Sequence, residues 1–387
     1  MKIPKTLLTV NSFILFTFIA PITYMLWRFV NFSRSISSFF QSWNVFGLMF
    51  NTISVFFAVV FTSVLVGLLI SIVTVRFEFK GSKILFTLCV LPLVIPSYIG
   101  ALTYISAFSP KGLFVQIFNR YGIEEIAGIE GFLGSWLVLT LFTYPYVQLI
   151  CSSALRNLDS TVEDAARSLG VNQFKVYTSV VIPRLKKPII YSSLLVGLYV
   201  ISDFGAVSLM RYSTVTKAIY AYYELSILSD PVIFYSSLLI VLALLISFIQ
   251  RGSATSRSAK VSGTPRIPKK VRLERNGKVL VYSFLGGIIF LGLIIPVAVL
   301  GFWLFRGLYY GTDLTSSIPG ILGSFSASIV TSILAIVISM PIVILISQYK
   351  SRFGDILEKI MLSLYGLPHL AVGVSILFIS IKMFTSI

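Results

Sequence analysis

An all-α, multi-pass membrane protein is what this sequence predicts, and three observations carry the prediction. Hydrophobic residues fill 56% of the 387 positions, charged residues only 12%, and the mean hydropathy is +0.93, whereas soluble domains carry about 25% charged residues. Apolar runs repeatedly exceed the ~18 residues needed to cross a bilayer. The basic residues gather on alternate connecting segments, as expected of a chain that threads a membrane. A water-soluble globule is excluded. The net charge of +17 points to nucleic acid only if the bases share one polar face. They follow the loops instead, so no nucleic-acid partner is expected.

Nine stretches are long and apolar enough to span: 7–30, 51–75, 84–108, 132–151, 189–210, 231–249, 279–305, 325–347 and 360–381. This predicts a polytopic helical bundle of about nine spanning helices. The first stretch follows Lys2 and Lys5, but it is longer than a signal-peptide apolar region and no small-x-small site follows it. It reads as an uncleaved anchor. With the amino terminus cytoplasmic, 23 of the 31 Lys and Arg residues fall on inside segments and 8 on the other side, which sets the expected orientation.

An internal repeat organises the chain. Shifted by 276 residues, 51–92 lies on 327–368 without a gap, Arg76-Phe77 falls on Arg352-Phe353, and Leu91-Pro92 on Leu367-Pro368. Each copy is an apolar span ending in Arg-Phe, a basic turn, and a second span broken by proline, which membranes tolerate where a neighbour satisfies the freed carbonyl. Residues 251–278, rich in Ser, Pro and bases, read as a solvated linker whose cluster of charge can also meet anionic lipid. The expected organisation is a first half at 1–250 with six spans, a basic cytoplasmic linker at 251–278, and a partial second half at 279–387 with three. A full-length second half would run to about residue 525, so a shortened product is expected.

The longest polar interruption of the first half, 156–187, is patterned. Ser160 and Glu163 stand at capping-box spacing, and Glu163 and Asp164 complement the positive end of a helix. Ala165 and Ala166 leave room for close approach, and Gly170 is suited to the left-handed conformation that ends a helix. Asn172 starts a second short helix that Ile182-Pro183 is expected to stop. The pattern fits a helix, glycine, helix elbow between two spans, or an amphipathic loop lying on the membrane surface.

Asp164-Ala165-Ala166, three residues, Gly170, nine residues, then Val180-Val181-Ile182-Pro183 resembles the EAA motif of permease subunits in binding-protein-dependent ABC importers. The spacing matches throughout; Asp164 stands for the usual Glu, Val180 for Ile and Ile182 for Leu. Ser202-Asp203-Phe204-Gly205-Ala206-Val207-Ser208, with Ala218-Ile219-Tyr220, is similar to a signature of ferric-iron permeases that fuse two halves in one chain. The resemblance implies the fold of a type I ABC importer permease in a bacterial inner membrane. It also implies an ATP-binding subunit docking on Glu163, Asp164, Ala165, Ala166, Gly170, Ile182 and Pro183, and an extracytoplasmic binding protein delivering ferric iron. A second coupling motif is expected near 440–459, beyond the sequence. Aminoethylphosphonate and thiamine importers share the plan. A secondary transporter or channel also accounts for repeats and broken helices, and a shortened fragment that assembles without transporting is a further alternative.

Asp203 is the one carboxylate well inside an expected span, where insertion costs roughly 2.5–3.5 kcal/mol. With Ser202 and Gly205 it reads either as a pathway residue favouring a cation or as the cap of a helix break. Tyr98, Tyr104, Tyr144 and Tyr146 suit a hydroxyl-lined path or an interfacial belt. His369 is alone and Cys89 and Cys151 sit in apolar runs, so neither a metal site nor a disulfide is expected. Gly81-Ser82-Lys83 and Gly277-Lys278-Val279 both fail the P-loop pattern. No catalytic residue and no cofactor is expected, and ATP hydrolysis falls to a partner.

Overall fold

The computed structural model describes residues 3–31, 44–109, 112–119, 128–159, 161–225, 230–254, 270–313, 315–349, 351–365 and 367–385. Ser160 and most of the expected linker (255–269) lie outside them. Among the described residues the strands are β1 (Phe77–Glu78) and β2 (Val271–Arg272), paired in parallel with Phe77 opposite Val271; the other elements are helices.

The helices run in chain order as α1 (Lys5–Val30), α2 (Val45–Arg76), α3 (Ser82–Val90), α4 (Ser97–Phe108), α5 (Leu113–Phe118), α6 (Gly131–Arg156), α7 (Thr161–Ser168) and α8 (Gln173–Val176). They continue as α9 (Lys186–Ser202), α10 (Gly205–Leu209), α11 (Val215–Leu225), α12 (Asp230–Ala254), α13 (Arg275–Ile289), α14 (Ile295–Tyr309), α15 (Ile318–Gln348), α16 (Arg352–Tyr365) and α17 (His369–Thr385). Among the described residues, five uninterrupted stretches are long and apolar enough to cross a bilayer: Lys5–Val30, Val45–Arg76, Gly131–Arg156, Arg275–Tyr309 and Thr315–Gln348. Counting two bent helix pairs as single spans gives up to seven, so the expected nine is not confirmed. Two expected stretches are cut locally, 84–108 by a tight turn at Leu91–Val94 containing Pro92 and 189–210 at Ser202, whereas 231–249 lies within the 25-residue α12.

The centre of the bundle is α2 against α6, with α9 packed on both. α2 contains no proline and no charge before Arg76, which lets the helix run for 32 residues. Its buried positions, Thr52, Val55, Val59, Ser63, Gly67, Ile70, Ser71 and Thr74, recur mostly at three- and four-residue steps, the spacing of one helix face. Polar contacts fix the register: Ser63 Oγ lies 2.9 Å from Thr143 Oγ1, and Ser71 Oγ donates to the Gln148 carbonyl at 3.0 Å. At Gly67 a Cβ would stand 2.7 Å from the Tyr144 carbonyl oxygen, so glycine there sets how closely α2 and α6 approach.

The broken helices have their freed carbonyls answered by neighbours. Beside the Pro92 turn, Tyr144 Oη donates to the Cys89 carbonyl at 2.7 Å and Gln148 Nε2 to that of Phe86 at 3.0 Å. Where α13 passes into α14 through a π-helical turn (Phe290–Ile294), Tyr104 Oη donates to the Leu291 carbonyl at 2.8 Å. Tyr104 and Tyr144 are fully buried braces, neither path-lining nor interfacial. Cys89 and Cys151 are free and buried. His369 opens α17 and is exposed.

Candidate functional site

Two places gather the residues singled out by sequence: the elbow between α6 and α9, and the break between α9 and α10.

The elbow begins where the Asp159 carboxylate accepts the Thr161 amide at 3.1 Å and its hydroxyl at 2.7 Å, an Asx-type start for α7. Gly170 ends that helix in the left-handed region (φ +77). The Val171 amide reaches back to the Ala166 carbonyl at 3.2 Å, the six-to-one bond of a Schellman motif. No atom lies within 4 Å of a Cβ placed on Gly170, so its demand is conformational rather than steric. α8 then starts after Asn172 and continues through a π-helical turn, Tyr177–Val181, into Ile182–Arg184.

The helix ends at Arg184, one residue after Ile182-Pro183 and before the next span, as the sequence leads one to expect. The chain bends by 61° between Tyr177–Arg184 and Lys186–Ser202, with Leu185 at the corner. Val181 and Leu185 bury against Leu155, Leu68, Ile72 and Val75, tying the second arm to the ends of α6 and α2. Arg184 Nη1 donates to the Asp159 carbonyl at 3.2 Å, closing the two ends of the elbow on each other.

Glu163 differs from its neighbours. It is buried, 2% exposed, and one carboxylate oxygen accepts from Arg76 Nη2 at 2.7 Å; Arg76 is itself 2% exposed. Asp164 and Ala165 face outward, Ala166 is half-buried, and Ser168, Gly170 and Pro183 are exposed. Leu169 is 84% exposed, an apolar tip beside the glycine. Expected as one group, Glu163 and Asp164 therefore divide, one turned into the protein and one outward.

At the second place α9 ends at Ser202, whose hydroxyl donates to its own Leu198 carbonyl at 2.7 Å. Asp203 accepts the Ala206 amide on Oδ1 at 2.9 Å and the Ser97 hydroxyl on Oδ2; Tyr199 Oη in turn donates to Ser97 Oγ at 3.0 Å. The Asp203 carbonyl accepts from Thr216 Oγ1 at 3.0 Å. Gly205 lets α10 approach α4: a Cβ there would stand 2.8 Å from Tyr98 Cβ. Asp203 thus fastens the break in one helix to the start of another.

Sequence reasoning missed Arg76, Asp159 and Arg184. Arg76 had left a signal, as the charged residue closing an otherwise uncharged span and a landmark of the repeat. Its partner lies 87 positions away, and no local pattern announces a pairing of that range.

Comparison with known proteins gives the family. Residues 63–256, half of the chain, match the binding-protein-dependent transport system inner membrane component. The chain is 26% identical over 358 residues to the Fe(3+)-transport system permease protein FbpB 2 of Haemophilus influenzae, covering 91% of this chain and 67% of that protein. It is 28% identical over 159 residues to sulfate permease 2, chloroplastic, of Chlamydomonas reinhardtii (41% of this chain, 42% of that one). It is also 28% identical over 155 residues to the sulfate transport system permease protein CysT of Escherichia coli (40% and 54%). The chain therefore spans about two thirds of the iron permease and about half of these sulfate permeases. It belongs to the family of inner membrane components of binding-protein-dependent transport systems, and is a multi-pass permease component of an ABC importer.

Proposed function

We propose that the elbow is the docking element for a separate ATP-binding subunit, and that the permease passes ferric iron from an extracytoplasmic binding protein to the cytoplasm. The observation that carries the docking role is the division of the elbow: its inner face is fastened to α2 and α6, while Asp164, Ala165, Gly170, Pro183 and the apolar tip Leu169 remain on the outside. A braced element with an exposed small-residue surface suits transmission of a push. The orientation follows the charge bias, with the amino terminus and the elbow cytoplasmic. Residues 1–250, 251–278 and 279–387 are read as a first half, a linker and residues of a second half. ATP hydrolysis is assigned to the partner subunit, since the chain has no P-loop.

Iron is favoured by the relative that matches along 91% of the chain; the sulfate permeases match about 40% of it and support an oxyanion as the second reading. Asp203, with Ser202 and Gly205, is proposed to shape the path by holding the break in α9, because both carboxylate oxygens already accept hydrogen bonds within the protein. Copurification of a P-loop ATPase with the intact protein, lost on Gly170→Pro, tests the docking role; retention of the ATPase by that variant counts against it. Uptake of labelled iron and of labelled sulfate by the reconstituted importer separates the two cargoes.

A further inference from the structure

We propose that Arg76 is a positioning residue that, through Glu163, fixes the elbow to the end of α2 so that the two move as one body. The inference deepens the coupling role above and rests on it for its functional meaning, although the geometry stands by itself.

Taking a carboxylate and a guanidinium out of water costs several kcal/mol per ion, and an apolar pair of similar volume is often as stable. A buried pair is thus weak evidence for stability, and the role proposed for this one is placement. Here the pair joins α2 to the first turn of α7 across 87 residues. The next residues hold the second arm and the start of the later helices: the Phe77 ring lies 6.1 Å from that of Tyr177, and Phe77–Glu78 pair with Val271–Arg272. Glu78 also meets Arg272 at 3.4 Å, and Tyr282 Oη donates to the Lys80 carbonyl at 2.8 Å. Residues 76–80 therefore form the junction of three parts of the chain.

The other end of α2 shows where a displacement would arrive. A helix of 32 residues is about 48 Å long. Near its far end Asn51 Nδ2 donates to the Ser213 carbonyl at 2.9 Å, and Thr52 Oγ1 accepts the Val215 amide at 3.0 Å. Both contacts grip the segment that follows the Asp203 break. With Gly67 locking α2 to α6 midway, a force entering at Glu163 is carried along α2 to that break.

The test uses the full chain assembled with its ATP-binding subunit and binding protein, with Cys89 and Cys151 changed to alanine and spin labels on Leu65→Cys and Ser168→Cys. Arg76→Gln is expected to broaden the label distance and reduce uptake about tenfold or more. Arg76→Lys is expected to keep most of both, and Arg76→Glu with Glu163→Arg to recover the narrow distance. A distance as narrow in Arg76→Gln as in the parent overturns the proposal whether or not the ATPase docks. A broadened distance restored by the reversed pair supports the positioning role even if no ATPase binds the parent, and that second result would sink only the coupling reading.

Discussion

α2 and α15 occupy equivalent places in the 276-residue repeat, yet they live in different surroundings. Each is a long apolar helix followed by a short connection, a second helix, a Leu-Pro break and a third helix. Along α2, Thr52, Ser63, Gly67 and Ser71 are buried against α6 and α9. Their counterparts in α15 differ in exposure: Ser328 and Ser339 are exposed, and α15 touches little beyond α1, α16 and the turn before it. Asn11 Nδ2 donates to the Pro341 carbonyl at 3.1 Å, one of its few polar ties. At the ends, Arg76 is buried on Glu163, whereas Arg352 opens α16 and is exposed. The same pattern of small and apolar residues serves a protein seam in one copy and an open face in the other. An apolar helix in a membrane protein does not by itself announce its neighbour, because lipid and leucine offer it similar solvation.

The contrast is sharpest at Gly67, whose counterpart is Val343. Gly67→Val forces a side chain into the Tyr144 backbone and is expected to cost about 3 kcal/mol or more, seen as loss of folded protein in a denaturant titration in detergent. Val343→Gly on the exposed helix should cost well under about 1 kcal/mol, since valine already lies below alanine on the helix scale on which glycine costs about 1. Equal effects at the two sites would erase the distinction. A smaller test compares Ser63→Ala, which removes the buried bond to Thr143 and should cost about 0.6–1.7 kcal/mol, with Ser339→Ala, whose hydroxyl meets only its own helix and whose loss should be near zero.

The smallest expected effect concerns pH at the entry to α15. The Thr315 hydroxyl and amide bonds hold the Asp313 carboxyl below its ordinary value. A group depressed in the folded state supports the fold above its unfolded pKa, and that support is lost as pH falls through the folded one. Protection of the Thr315 amide, measured relative to its intrinsic exchange rate, should be unchanged between pH 6 and 8 and fall only in acid, below the usual carboxylate range. Faster exchange on going from pH 6 to 8 beyond the intrinsic base-catalysed trend would contradict this.

Much of the fold was legible in the sequence, but not all of it. The span at 132–151, the long helices around 51–75 and 279–305, and the left-handed Gly170 follow from local rules of hydropathy and backbone sterics. The bounds of two spans were not legible, because local chemistry cuts the apolar run: Pro92 in a tight turn, and Asp203 at the end of α9. Pro183 marked the end of the elbow's second helix, because proline has no amide to give the turn before it. The inward turn of Glu163 and the bracing by Tyr144 and Tyr104 depend on partners far away in the chain. Periodicity carries no information about them.

The proposed coupling requires that the outer face of the elbow meet a nucleotide-driven partner while its inner face stays fixed to α2. Cysteine cross-linking decides this, with Ala165→Cys on the outer face and Val181→Cys on the inner. Ala165→Cys should link to the ATP-binding subunit in intact membranes and Val181→Cys should not. A linking pattern reversed between the two positions, or the Ala165→Cys thiol reacting only with reagents added from the extracytoplasmic side, would contradict the account.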